Sequence, residues 1–462
     1  MIDGQENRFE TWLRARRANM YILWGVLLAL LLILDSLLAF TLVFLKLAQP
    51  EHFFVTSFLG KNETEHRRIP EVRELLDHHA HVYPTYFNRF EADGLLGARL
   101  VKNFLTIDPP YLGSGHELSN GVDKTFWFMT DENGFPPVTR AMRHYAVPKP
   151  ARTFRVVILG GSTVEGFAVN TPFDSLPAKL AALLETDFTN SPHPDYDEVE
   201  LINAGVSNYT SDQEYLFLLA DLSRFTPDLV IAYDGWNDAE VMPVRFAGEP
   251  VLQPYRTPSH VKNGDRVNKS FTPSGAFDLF AVIGAGNAIE FFDRFAIPRI
   301  LEKMIESAQR RLSHPKTQAT IKPEYSVQSA AFYLENRRTM LSLVRQRSYR
   351  FASLLQPVAG VDGKVYTPLE IDYQRHMADR QDNDTARSER TVFYDALRPQ
   401  LAAFAAQNEE PGRICISDIS ANTFPQIKET VYSDSGHLLP NGNEIVAEKV
   451  FGELKRCNLL EY

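Results

Sequence analysis

Val156-Val-Ile-Leu-Gly-Gly-Ser-Thr163 is the stretch on which the fold turns. Its apolar, partly β-branched run closed by two glycines reads as a strand covered on both faces, the pattern of a parallel sheet flanked by helices. The glycines predict a tight turn at the strand's carboxyl end, so that Ser162 presents its hydroxyl above the sheet edge. Near the other end of the chain stands Asp434-Ser-Gly-His437. An Asp three positions before a His can orient the imidazole from the same short loop, so base and orienter arrive together while the nucleophile comes from elsewhere. Ser162, His437 and Asp434 are therefore the candidate catalytic residues, as nucleophile, general base and orienting carboxylate.

Two segments between them have the chemistry that acyl transfer still lacks. Val199-Glu-Leu-Ile-Asn-Ala-Gly-Val-Ser-Asn-Tyr-Thr210 reads as a strand opening into a loop of Asn, Gly and Ser, where backbone N–H groups are free to face an anion. Asp228-Leu-Val-Ile-Ala-Tyr-Asp-Gly-Trp-Asn-Asp238 is a further buried strand that ends on the side-chain amide of Asn237. Donors of these two kinds build an oxyanion hole, each contributing about 3 kcal/mol.

With four such segments in this order, the chain resembles the SGNH hydrolases, also called the GDSL family of esterases and lipases. The resemblance covers about two thirds of the chain, from Arg155 to Leu454, with a large insertion inside it. It implies that Ser162 is the nucleophile and that its own N–H is one oxyanion donor. The family's second block, Asn-x-x-x-x-Gly, begins at Asn203 and places Asn208 where the donor Gly belongs. Gly235, Asn237 and Asp238 match Gly-x-Asn-Asp, which makes the Asn237 amide the third donor. Asp434 and His437 match the closing Asp-x-x-His, followed by a helix from Pro440. Two departures stand out. Gly161 replaces the Asp that precedes the nucleophile, and is expected to tune the turn. Asn208 tolerates left-handed backbone, but its side chain is expected to crowd the hole.

The chain has 462 residues, 44% of them hydrophobic and 23% charged, enough for one large domain with appendages. A net charge of -10 without a basic stripe in the main body excludes nucleic acid as the expected partner. Two cysteines, Cys415 and Cys457, exclude a disulfide scaffold; whether they pair stays open. Apolar strands alternate with helical stretches at Thr171–Thr186, Ser211–Arg224 and Ala330–Gln346, with further strands at Tyr349–Gln356 and Arg413–Asp418. The expected fold class is α/β: a three-layer α/β/α sandwich on a parallel sheet, SGNH- or flavodoxin-like. All four blocks fall at strand carboxyl ends, where such sheets bind ligands.

Tyr21 to Leu45 is almost wholly apolar and, at about 25 residues, long enough to cross a bilayer. Arg8, Arg14, Arg16 and Arg17 precede it, so residues 1–20 are expected in the cytoplasm, 21–45 as an uncleaved anchor in the cell membrane, and the remainder outside. Asp35 within the span costs about 2.5 to 3.5 kcal/mol in hydrocarbon and so predicts a polar partner helix or a neutral acid. Residues 46–150 read as a stalk and a small strand-rich accessory unit, with short strands at Leu100–Phe104 and Thr125–Thr130, and 151–462 as the catalytic domain. His78, His79 and His81 read as a solvated helix end, since no second ligand cluster lies near. The insertion 243–325 is too long for a plain connection, and its apolar stretch Ala276–Ile300 suits a lid, a membrane-surface helix or a docking face.

These features predict an extracytoplasmic, membrane-anchored serine esterase or deacylase acting on an acyl ester, preferably an O-acetyl group of envelope glycan or lipid, without metal or organic cofactor. Acyl transfer through the same site and a non-catalytic scaffold subunit are the alternatives.

Overall fold

The structure, a computed structural model, describes residues 24, 26–38, 41, 89–108, 126–140, 143–167, 169, 171–191, 194–248, 322–372 and 383–460. The chain divides into two compact units, one of Met1–His78 with Arg266–Lys316, the other of His79–Asp265 with Thr317–Tyr462. In the first unit, residues 26–38 are helical. Among the described residues no helix is long and apolar enough to cross a membrane. Both ends of the 21–45 stretch, the histidines at 78, 79 and 81, and the Ala276–Ile300 segment lie outside the described residues.

The second unit is built on a five-stranded sheet of β5 (Thr153–Gly160), β6 (Glu198–Gly205), β7 (Leu229–Asp234), β8 (Arg350–Leu355) and β9 (Ile414–Asp418), every pair parallel. The spatial order β6-β5-β7-β8-β9 is the doubly wound pattern, with its switch point at β5. Along each strand alternate side chains enter opposite layers, as the pleat demands. Val157, Leu159, Ile202, Val230 and Phe351 join one buried cluster, and Val156, Ile158, Leu201, Leu229 and Leu354 the other. Each fully buried aliphatic side chain of this kind stabilises the fold by about 1.5 to 3 kcal/mol.

The first layer is covered by α3 (Ser211–Ala220), α4 (Trp236–Gly248), α5 (Pro323–Arg347) and α6 (Asn383–Asn408), and the second by α2 (Leu176–Asn190) and α7 (Pro440–Arg456). α1 is the single turn Ser162–Glu165 after β5. α2 starts at Leu176, after a 3₁₀ turn at Pro172–Asp174, because Ser175 caps it and Pro177 suits its first turn. α3 opens on a capping box made by Thr210 and Gln213. The 26-residue α6 has no counterpart in the sequence reading. Cys415 and Cys457, left open above, are joined in a disulfide that ties β9 to the residue after α7.

Ahead of the sheet lie two antiparallel hairpins, β1 (Phe90–Asp93) with β2 (Gly97–Leu100) and β3 (Leu105–Asp108) with β4 (Phe126–Met129). The strand expected at 100–104 is thus mostly the link between β2 and β3. These hairpins do not stand apart from the catalytic domain: Phe90, Leu100, Phe104, Phe128 and Phe135 share one core cluster with β5, β6 and β7. Their apolar faces are too small to be buried alone, and the sheet supplies the partner surface.

Candidate active site

Gly160 pairs in register with Gly205 of β6 on one side and with Tyr233 of β7 on the other. Three chain exits therefore stand side by side at the switch point, and they lead to Ser162, Asn208 and Asn237. Gly205 is obligatory here, since a Cβ would lie 2.2 Å from the Glu165 nitrogen where α1 folds back over the strand ends.

His437 arrives from the far end of the chain with Nε2 2.7 Å from Ser162 Oγ, while its Nδ1 lies 2.6 Å from Asp434 Oδ2. The other Asp434 oxygen accepts the N–H groups of Gly436 and His437, both at 2.8 Å. Burial pushes the Asp434 carboxyl up, but the adjacent His437 and these hydrogen bonds outweigh it and hold the group below the usual carboxylate range. A fixed negative charge against Nδ1 keeps the proton there, leaving Nε2 to accept from Ser162. The loop is braced from below: buried Glu370 accepts the N–H groups of Val431 at 2.9 Å and Tyr432 at 3.2 Å, and the Ala359 N–H donates to the Ser435 carbonyl at 2.9 Å.

Ser162 is the first residue of α1, so its N–H has no intrahelical acceptor. The Asn237 Nδ2 donates one hydrogen to the Tyr209 carbonyl at 2.8 Å, which fixes the amide plane and leaves the second hydrogen of the NH₂ to serve a ligand. A Cβ at Gly161 would lie 2.3 Å from that nitrogen. Glycine at 161 therefore does more than tune the turn: it makes room for Asn237 beside the nucleophile. Asn208 has φ of 67°, the left-handed conformation the family's glycine would adopt, and the residue is solvent-exposed.

Next to Asn237, fully buried Asp238 accepts the Ser211 N–H and hydroxyl, the latter at 2.5 Å, and so ties the end of β7 to the start of α3. Two aromatic rings that no motif points to enclose His437, Phe167 at 4.4 Å and Trp236 at 4.8 Å between centroids. Trp236 lies so close to Gly436 that a Cβ there would fall 2.3 Å from the indole. These contacts are made by packing between distant segments and leave no spacing signal in the chain.

No protein-family model matches the chain, and no curated protein matches it. Among solved structures it is similar to a lipase/acylhydrolase from Enterococcus faecalis, at 14% identity and a TM-score of 0.32 over 65% of this chain and 95% of that one. It is also similar to a GDSL-like lipase from Bacteroides thetaiotaomicron, at 13% identity and 0.29 over 66% and 88%. An acetyl xylan esterase matches at 13% identity and 0.26 over 64% and 98%. At such scores the fold rests on the strand order described above, not on these likenesses.

Proposed function

We propose that the chain is a membrane-anchored, extracytoplasmic serine esterase of SGNH type that removes short O-acyl groups from envelope glycan or lipid. The observation that carries this reading is the unbroken hydrogen-bond chain from Ser162 through His437 to Asp434 at the switch point of the sheet. Ser162 Oγ attacks the ester carbonyl as its proton passes to His437 Nε2, and Asp434 stabilises the imidazolium. The N–H groups of Ser162 and Asn208 and the Asn237 amide receive the oxyanion. Collapse expels the alcohol with the proton from His437, and water then repeats the sequence on the acyl-enzyme.

Three features support the location. Residues 21–45 are apolar and follow an arginine cluster. On the helix at 26–38, Leu28, Ile33 and Leu37 are exposed, as a lipid-facing surface requires, and the Ser36 hydroxyl is satisfied by the Leu32 carbonyl at 2.8 Å. The disulfide Cys415–Cys457 suits an oxidising compartment. A helix that receives Asp35 is part of the same proposal.

Fluorophosphonate labelling of the full-length protein tests the reading without knowledge of the substrate. Wild type is expected to label; Ser162→Ala abolishes labelling, and His437→Ala lowers its rate by roughly 100-fold or more. Intact wild type that stays unlabelled would return the chain to the scaffold class. Free acetate as the product, against acetylated saccharide, separates hydrolysis from acyl transfer.

A further inference from the structure

Glu165, at the end of the turn that begins with Ser162, is fully buried and paired with Arg89, and the mechanism above does not use it. One of its oxygens accepts the Ser207 N–H at 2.6 Å, immediately before Asn208. The other accepts Arg89 Nε at 2.5 Å, and Arg89 Nη2 reaches on to Ser207 Oγ at 3.1 Å. Arg89 is 2% exposed and precedes the first hairpin, 76 residues from its carboxylate partner in sequence. Burying such a pair is costly in itself, so it is weak evidence for stability.

We infer that Arg89 and Glu165 are positioning residues for the backbone half of the oxyanion hole, and rest this on the esterase reading above. The two backbone donors, Ser162 N–H and Asn208 N–H, come from different loops, joined at their bases where the Val206 N–H donates to the Gly160 carbonyl at 3.1 Å. Glu165 belongs rigidly to the turn of Ser162 and holds the residue before Asn208, so it couples the two. Arg89 closes the triangle by holding both the carboxylate and the Ser207 side chain. The segment before the sheet is thereby part of the active site's support, although it touches no reacting atom. Loss of the pair moves a donor that acts only on the developing oxyanion, so kcat falls while KM stays. The acid limb of the pH profile, which reports the base, does not move, because the ring nitrogens of His437 bond to Ser162 and Asp434.

The test uses full-length protein, a fluorophosphonate probe and p-nitrophenyl acetate. Arg89→Met/Glu165→Gln removes both charges and avoids stranding one of them; it should lower kcat and the labelling rate by roughly 10- to 100-fold, less than the full loss of a donor. KM stays within about twofold in that variant, since only transition-state binding is lost. Arg89→Lys should restore part of the rate, and Ser207→Ala, which leaves the ion pair intact, should cost about two- to fivefold, as a displaced rather than deleted donor. If the double variant does not fold, the graded kcat losses of Arg89→Lys and Ser207→Ala at constant KM decide the matter. Labelled wild type together with wild-type kcat in these variants overturns this inference alone, as does a shifted acid limb or a loss confined to KM. An unlabelled wild type overturns the esterase reading and this inference with it.

Discussion

Two sets of carboxylates are buried at the carboxyl ends of the strands, and burial has opposite outcomes for them. Asp434 faces His437 and two backbone N–H groups, and is held below the usual carboxylate range in spite of its desolvation. Glu214 and Asp234 meet at a single guanidinium, that of Arg337, which contacts Glu214 at 3.2 Å and Asp234 more closely still, while buried Asp238, next to Asn237, is held by Ser211. Burial outweighs the pull of Arg337 and pushes Glu214 up to about 8, and it likewise drives Asp238 well above its ordinary value. Desolvation raises Asp434, Glu214 and Asp238 alike; His437 and the hydrogen bonds outweigh it at Asp434, whereas neighbouring acidic groups add to the rise at Glu214 and Asp238. The carboxylate beside His437 is held in its charged form, whereas burial pushes Glu214 and Asp238 toward their protonated forms in the cluster that clamps β7 to α3 and α5.

The largest effect that sharpens this contrast is expected in Asp434→Asn. The amide keeps the shape but cannot hold the proton on Nδ1, so kcat should fall by roughly 1,000- to 10,000-fold with the fold intact. A rate within tenfold of wild type would remove Asp434 from its role. Next comes Asn237→Ala, one residue from the clamp, with an expected loss in kcat of about 100- to 1,000-fold. If the damage appears in thermal stability instead, Asn237 belongs with Asp238 and not with the oxyanion.

The clamp itself is read through pH. A carboxyl whose pKa is raised in the folded state adds stability that is fully present below its unfolded value of about 4.3 and is lost as pH rises through the folded value. Glu214 should therefore contribute a decline in Tm between pH 4.3 and about 8, and Glu214→Gln should flatten it. Asp434, with its lowered value, has the reverse sign, and its contribution is lost as pH falls through the acid range. Equal slopes in Glu214→Gln and wild type would show that Glu214 is not raised. The smallest effect is at Asn208, whose left-handed backbone costs an ordinary side chain about 1 to 2 kcal/mol. Asn208→Ala should lose about that much of its urea-unfolding free energy, and Asn208→Gly none.

Much of the site could be read before any coordinates. The strand-turn at Ser162, the Asp434/His437 spacing and the amide at Asn237 are local patterns, and each reports its own backbone geometry. β8 and β9 fall within a residue of the expected runs for the same reason, whereas β7 ends at Asp234 and Asn237 already lies in α4. α6 was legible in principle, since Phe393, Leu397, Leu401 and Phe404 recur at helical spacing, but its charged first half masks the pattern. The ring contacts on His437, the room that Gly161 leaves for Asn237 and the Arg89–Glu165 pair had no such trace.

By itself the sequence determined the period-2 and helical patterns that make a parallel α/β sandwich, and the residue types that chemistry on an ester requires, because both depend on neighbours a few positions apart. Only the tertiary structure decided that Ser162 and His437, 275 residues apart, meet at hydrogen-bond distance, that the early hairpins join the core of the sheet, and which buried carboxylates keep their charge. Those outcomes depend on which groups the fold brings within a few ångströms of one another, and electrostatic and packing energies are set by that distance rather than by separation along the chain.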